Sequence, residues 1–424
     1  MIRFIYTLAF YLAVPLIFVR LLLRSRKAPA YRKRWGERFG FVPKLSSGQV
    51  IWVHSVSVGE TLAAVPLIKQ LQKRHPDAQL VVTTMTPTGS ERVKASFGDS
   101  VYHVYAPYDL PDVVARFLNR VQPDVLVIME TELWPNLIFG CAKRGIPMVL
   151  ANARLSEQSA EGYSKIPALM GSMLRKMHKV AAQHKDDGER FVGLGLPKKQ
   201  LKVTGNIKFD LELSAEIKQK AKQLRSQWRG DAKRSVLLVA STHRGEDEII
   251  LDSFQQLLQS HPSLLLVLVP RHPERFDEVA ELCESRELSL IRRSQEVAPE
   301  SSHQVLLGDT MGELLAFCGA SDVVFMGGSL VPVGGHNVIE PAAWGVPVVS
   351  GPYLFNFAEA SQLLLEADGL QVCNGSEQIA VAVDELVSDP DHRHTMGAAA
   401  NTVAEQNRGA LEKLLKLISP LVAN

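Results

Sequence analysis

Paired cysteines are missing from this chain. Four occur, Cys141, Cys283, Cys318 and Cys373, without CxxC spacing. This argues against a disulfide framework or a structural zinc and suits a reducing compartment. Charge of one sign is missing as well: the formal net charge is +2, which leaves no overall nucleic-acid footprint. There is no GxxxxGK[ST] loop of an NTPase, no GxSxG nucleophile elbow and no HExxH. The DxD-like run Asp389–Asp391 lies in a proline turn, so a structural turn is expected there, and no metal ligand set is expected. No short fixed repeat and no long low-complexity tract is visible.

What is present begins with an apolar run, Phe4–Val19, extended by Leu21–Leu23 past Arg20. As a helix, Phe4–Val19 reaches roughly 24 Å, slightly less than a bilayer core. A secretory signal would carry its charge in front; here Arg3 stands alone in front, and Arg20, Arg24, Arg26, Lys27, Arg32, Lys33, Arg34 and Arg38 follow. Positive charge stays cytoplasmic, so everything after residue 24 is expected there, and the basic run is suited to anionic lipid. Residues 1–24 therefore read as a membrane anchor, either a marginal single span or a shallow interfacial helix. A buried helix of the main fold would need more polar positions.

With 424 residues, two domains are expected. Apolar strand candidates (Val50–His54, Leu80–Thr84, Val101–Tyr105, Val125–Ile128, Met148–Ala151, Val180–Ala182) alternate with helical patterns. The alternation restarts after a charged connector, Gly205–Arg234, with Val236–Ala240, Leu264–Val269, Leu288–Ile291, Val305–Leu307, Val323–Met326 and Val346–Ser350. Such alternation predicts parallel sheets covered by helices on both faces. The expected architecture is α/β: two Rossmann-like domains, 25–207 and 208–424, facing across a cleft, with the last helix, Gly409–Leu421, packing back on one of them. Ligands of such sheets bind beyond the strand carboxyl ends.

The strand exits carry the chemistry. HSVSVGE (His54–Glu60) puts Glu60 in a first helical turn, where it either caps the helix or acts on substrate. TTMTPTGS (Thr83–Ser90) offers hydroxyls for an anion or for a cap. METELWPN (Met129–Asn136) places Glu130 and Glu132 after a buried strand, with Trp134 able to desolvate a carboxylate and raise its pKa. Lys208, in GNIKFD, lies where the two halves meet. PRHPERF (Pro270–Phe276) offers Arg271 and His272, the arginine as a fork donor to phosphate. GDTMGE (Gly308–Glu313) and the glycine-rich Gly327–Gly351 open helices whose free amides attract anions, and Glu340 is suited to grip ribose hydroxyls.

HSVSVGE, TTMTPTGSER, METELWPN, GNIKFD, PRHPERF, GDTMGEL and GGHNVIEP occur in this order, behind RKAPAYRKRWGERFG. In this the chain closely resembles the 3-deoxy-D-manno-octulosonic acid (Kdo) transferases of Gram-negative bacteria, over nearly its whole length. The resemblance implies a GT-B glycosyltransferase of the inner membrane surface, inverting and without metal or other cofactor. It implies CMP-Kdo as donor and a lipid IVA-like lipid A precursor as acceptor. It further implies Glu60 as general base, with Lys208 and one carboxylate of METELWPN, taken as Glu130 rather than Glu132, supporting the transition state. Pro270, Arg271, Met311, Gly312, Glu313, Asn337, Val338, Ile339 and Glu340 would bind CMP. The rival readings are a nucleotide-sugar epimerase, which needs no anchor, and a membrane-tethered nucleotide-binding regulator, which needs no carboxylates facing the phosphate site.

Overall fold

Apolar runs of three to seven residues, rich in Val, Leu and Ile, form two seven-stranded sheets. The computed structural model describes residues 2–45, 48–230 and 234–422. Met1 and residues 423–424, at the outer ends of the expected segments, lie outside the described residues, as do 231–233 of the expected connector and the side chain of Lys27. The first sheet contains β1 Val50–His54, β2 Gln79–Thr84, β3 Tyr102–Tyr105, β4 Val125–Met129, β5 Met148–Ala153, β6 Lys179–Ala182 and β7 Leu201–Val203, in the order β3-β2-β1-β4-β5-β6-β7. The second contains β8 Val236–Thr242, β9 Leu265–Pro270, β10 Leu290–Arg292, β11 Val305–Leu307, β12 Val323–Met326, β13 Val348–Ser350 and β14 Leu370–Val372, in the order β10-β11-β9-β8-β12-β13-β14. Every strand pair is parallel.

Parallel strands covered on both faces must be apolar at every position. β1 and β4 are buried throughout. The period of two sends Trp52, Leu126 and Ile128 into one core layer with Phe117 and Leu137, and Ile51, Val53, Val125 and Val127 into the other with Leu67 and Ile68. The chain winds outward from β1 through β2 and β3 on one side and through β4 to β7 on the other. The carboxyl ends of β1 and β4 therefore form a topological switch point, and β8 and β12 form another in the second sheet.

The chain divides into two units, Met1–Asp210 with Arg408–Asn424, and Leu211–Asn407. Of the expected segment 208–424, residues 208–210 at its start and 408–424 at its end belong to the first unit, the last helix packing back on that unit. Helix Ala410–Val422 buries Leu414, Leu415, Ile418 and Val422 in the layer of Leu67 and Ile68. Asp210 holds the start of this helix, accepting from the Leu411 N–H at 2.6 Å. Two strands escaped the sequence reading: β7 and β14 have three residues each, and each carries a polar residue, Lys202 or Gln371, at a sheet edge. Helices Glu157–Ser164 and Pro167–Leu174 were not expected either.

Helix Ile2–Lys27 packs lengthwise on the first unit. Residues 3, 6, 7, 10, 13, 14, 17, 18, 21 and 25 face inward. Arg3 Nε donates to Asn136 Oδ1 (2.9 Å), the Tyr11 hydroxyl donates to Asp112 (2.5 Å), and the Phe18 ring stacks on Phe39 at 5.3 Å. The outward face exposes Phe4, Ile5, Leu8, Leu12, Leu16 and Val19. The helix is long and apolar enough to cross a membrane. Part of the basic run behind it serves the fold rather than lipid. Arg38 is buried with its guanidinium over the Tyr105 ring, and Arg34 pairs with Glu37 and donates to the His103 carbonyl. Two planar guanidiniums over one aromatic ring make a packing device.

Candidate active site

At the first switch point, β1 ends at His54 and a short turn delivers Glu60. Ser57 Oγ accepts from the Glu60 N–H at 3.2 Å, while the Glu60 carboxylate accepts from the N–H groups of Val56 (2.8 Å) and Ser57 (3.3 Å). Both halves of a capping box are formed, so the capping role weighed from the sequence exists, and the side chain is buried. A carboxylate offers about four lone-pair sites, so two caps leave acceptor capacity for a substrate hydroxyl.

β4, the neighbour of β1, ends at Met129. Glu130 follows at φ 53°, a left-handed conformation unusual for a residue with a Cβ, with its N–H bonded to the Ala151 carbonyl of β5 at 2.9 Å. This backbone reversal turns METELWPN over the switch point. Trp134 Nε1 donates to Glu132 Oε2 at 2.7 Å, and the Trp134 ring meets His54 edge to face at 4.7 Å, tying the β4 exit to the β1 exit. Burial first, then the charges of Glu60 and Glu130, push the Glu132 carboxyl up to about 7 against the opposing Trp134 bond. His54 receives a different environment. Its Nδ1 lies 2.9 Å from Thr83 Oγ1, and burial lowers it to about 3, so it is a neutral ring supporting Trp134. In the Thr83–Ser90 turn, Thr86 Oγ1 accepts from the Gly89 N–H at 3.1 Å and caps helix Pro87–Phe97.

Lys208 belongs to the first unit, in a single turn, Ile207–Phe209, fastened to the ends of β5 and β6. Asn152 Oδ1 accepts from the Ile207 N–H at 3.0 Å, and Gln183 Nε2 donates to the Asn152 carbonyl at 2.9 Å. Asn206 Nδ2 completes the link by donating to Gln183 Oε1 at 3.2 Å. Asn152, at φ 52°, makes this possible by interrupting the register between β5 and β6. Glu60, the Glu130–Glu132 turn and Lys208 thus come from the exits of β1 and β4 and from a turn bound to β5 and β6, a contiguous part of one sheet. A hollow of about 550 Å³, lined by Pro147, His178 and Gln200, lies at the opposite, amino-terminal strand ends, where such sheets do not carry their ligands.

In the second unit the glycine-rich loop after β12 is built differently from the sequence expectation. The N–H groups of Gly328 (2.7 Å), Ser329 (2.9 Å) and Leu330 (2.8 Å) all donate to the carboxylate of Glu246, which is fully buried and also receives the His243 N–H at 2.8 Å. An internal carboxylate thus occupies the amides of this loop, while the helix start foreseen as an anion site lies further on, at Asn337–Glu340. Helix Ile339–Ala343 begins with its first N–H on Asn337 Oδ1 (3.2 Å), and Asn337 Nδ2 donates to Glu340 Oε1 at 3.0 Å. Burial raises the Glu340 carboxyl, with Asn337 and Arg271 acting against it. Arg271 is placed by its N–H on the Thr242 carbonyl at 3.0 Å. Met311 is exposed, and Gly312 has φ 84°. Burial works to raise Glu313, but Lys220 (2.8 Å), Thr310 and Arg293 (3.0 Å) pull it down to about 2, so this carboxylate is held by ion pairs. Asp389 caps helix Pro390–Gln406 by accepting from the N–H groups of Asp391 and His392, as befits a structural turn. Among the described residues no cluster of three or more His, Cys, Asp or Glu is placed to hold a metal ion.

Sequence reasoning missed Glu246 and His243, which stand together in STHRGE at the β8 exit. The position of that segment after a strong strand was the available signal.

Two parallel-sheet Rossmann-like units, each with polar side chains gathered at its switch point, are the architecture of GT-B-type enzymes. Solved structures with low identity show the same fold. UDP-GlcNAc 2-epimerase from Neisseria meningitidis bound to UDP-GlcNAc matches at TM-score 0.58 and 15% identity, over 88% of this chain and 100% of that one. A glycosyltransferase from Rickettsia africae matches at TM-score 0.56 and 14% identity, over 89% and 100%. At such identities the epimerase is a fold neighbour only. The family model for 3-deoxy-D-manno-octulosonic-acid transferase (kdotransferase) matches residues 33–211, and that for glycosyl transferases group 1 matches 231–403. The 3-deoxy-D-manno-octulosonic acid transferase of Haemophilus influenzae is 48% identical over 99% of this chain and 98% of its own. The chain belongs to the 3-deoxy-D-manno-octulosonic acid transferase family.

Proposed function

We propose that this enzyme transfers Kdo from CMP-Kdo to a lipid IVA-type lipid A precursor, with inversion and without a metal ion, at the cytoplasmic face of the inner membrane. The observation that carries the chemistry is the carboxylate cluster at the first switch point, where burial first, and then the charges of Glu60 and Glu130, raise Glu132 to about 7. Glu60 takes the proton of the acceptor hydroxyl. The freed oxygen bonds to the anomeric carbon of Kdo as the bond from that carbon to the CMP phosphate oxygen breaks, and CMP departs with the electron pair. Glu130 and Lys208 support the charge that develops. Pro270, Arg271, Met311–Glu313 and Asn337–Glu340 hold CMP.

Membrane attachment is supported by helix Ile2–Lys27. Its inner face is bonded to the first unit from Arg3 to Phe18, and its outer face is apolar. A helix tied down along its length is suited to lie in the interface, apolar side in the lipid, with the exposed Arg20, Arg24 and Arg26 toward anionic headgroups.

The test is acceptor-dependent release of CMP from CMP-Kdo on a lipid A precursor, in EDTA, with the product weighed by mass spectrometry. A product heavier by Kdo supports the reading. Release without acceptor, or activity abolished by EDTA and restored by Mg²⁺, overturns the part concerned.

A further inference from the structure

Three imidazoles converge at the second switch point, from three separate strand exits. His243 follows β8, His272 follows β9 and His336 follows β12. His243 Nε2 lies 2.9 Å from His336 Nε2, with the ring planes only 9° apart, and the His272 ring stands edge-on to His243 at 5.2 Å. The His336 ring is seated on Gly328: a Cβ there would come within 2.8 Å of it, and Gly328 has φ 69°. This glycine is thus required by the imidazole as well as by the turn.

The surroundings are cationic. Arg271 and Arg275, with the Glu246 carboxylate acting against them, face His243, and Arg271 faces His336. The buried carboxylates nearby are committed, while the exposed Glu274 comes within 3.9 Å of His272 Nδ1. Glu246 takes four backbone N–H groups, and Asp247 takes the Thr242 hydroxyl at 2.6 Å and the Arg275 guanidinium. Glu340 is bonded by Asn337. An Nε2-to-Nε2 hydrogen bond needs one N–H and one lone pair, so His243 and His336 share one proton at that contact.

We propose that His243, His272 and His336 form an oxyanion subsite of the donor pocket, and that filling it draws a proton onto the imidazole pair. The proposal rests on the reading that this unit holds a sugar nucleotide. In the empty site burial lowers His243, against the Glu246 charge and with the neighbouring arginines, and burial lowers His336 to about 4, so the two rings are neutral near pH 7. A bound oxyanion reverses that balance and favours the imidazolium, which needs an acceptor for its extra N–H. The proton comes from solvent. The oxyanion is either the phosphate of the nucleotide or the carboxylate of the sugar acid.

Calorimetric titration at pH 7 in buffers of different ionisation enthalpy separates these sources. CMP and intact CMP-Kdo are the two ligands. The expected result is uptake of a substantial fraction of a proton per ligand. If CMP alone draws it, the phosphate is the partner; if only CMP-Kdo does, the carboxylate is. Free CMP loses rather than gains protons in a cationic site, since its second phosphate pKa is about 6, so the sign identifies the protein as the acceptor. His336→Asn should abolish most of the uptake, with CMP or CMP-Kdo bound about tenfold more weakly at pH 6.5 than by the parent and with a smaller difference at pH 8.5. His272→Gln, which leaves the paired rings intact, should weaken binding while preserving at least half of the uptake. Binding without proton uptake by the parent, or undiminished uptake in His336→Asn, overturns the subsite alone. Failure of both ligands to bind overturns the donor reading and the subsite with it.

Discussion

A single side chain, Glu60, carries two duties that act on different observables. Its backbone and carboxylate complete a capping box, and its remaining lone pairs are proposed to receive a proton. Glutamine serves equally at the third position of such a box, so Glu60→Gln separates the two. We expect turnover to fall by about 10²–10⁴-fold, the range for a lost general base, while donor affinity and melting temperature barely change. Near-parental turnover ends the catalytic assignment. Glu132 gives a test by pH. Its carboxyl is raised in the folded protein from 4.5 to about 7, by burial first and then by Glu60 and Glu130. The folded state therefore binds more protons than the unfolded state between those values, and stability falls as pH rises through that window. Thermal melts of Glu132→Gln from pH 4.5 to 8 should show a flatter loss of stability than the parent. A steeper or unchanged slope rejects the assignment. These carboxylates were legible in the sequence because each follows an apolar run whose strand ends at the carboxyl side of the sheet, where ligands bind. The role of Glu246 was not legible, since its partners, the N–H groups of 328–330, are more than eighty residues away.

Among the elements, helix Ile2–Lys27 was visible as an apolar run, but its orientation was not. Orientation is set by three contacts that need the folded partner: Arg3 with Asn136, Tyr11 with Asp112, and Phe18 with Phe39. The same is true of the basic stretch, in which Arg34 and Arg38 are distinguished from Arg20 and Arg24 only once Tyr105 is in place. Leu12 and Leu16, 72% and 70% exposed, lie one turn apart on the free face. Burying a leucine side chain is worth about 1.5–3 kcal/mol. The double substitution Leu12→Glu, Leu16→Glu should therefore lower binding to anionic vesicles by at least about tenfold, with circular dichroism and melting temperature unchanged. Vesicle binding equal to the parent's would reject the interfacial role of this face. Deleting Met1–Leu23 is a harsher change, because it uncovers Phe39, Trp35 and Tyr108, which the helix rings cover. We expect that truncated protein to retain activity on detergent-dispersed acceptor with a lowered melting temperature.

For the whole molecule, the decisive feature is that chain order and folding units do not coincide. The first unit is discontinuous, completed by the last residues of the chain, whereas the second is the continuous stretch Leu211–Asn407. The alternation of strands and helices announced two sheets, and the amphipathic pattern after Gly409 announced a packed helix. The choice of partner depends on features no local pattern contains: the Asp210 carboxylate that receives the Leu411 N–H, and the Gln49 side chain that donates to the Val422 carbonyl at 2.7 Å. Four buried aliphatic side chains, Leu414, Leu415, Ile418 and Val422, contribute about 6–12 kcal/mol at about 1.5–3 kcal/mol each. A domain's net stability is only about 5–15 kcal/mol, so the first unit without this helix should be marginal or unfolded. Residues 211–407 expressed alone should melt cooperatively and bind CMP. Residues 1–210 alone should lack a cooperative melt in detergent and regain it when residues 408–424 are joined to residue 210 by a short Gly/Ser linker. A cooperative melt of 1–210 at the temperature of the linked form would show that the terminal helix only decorates the first unit.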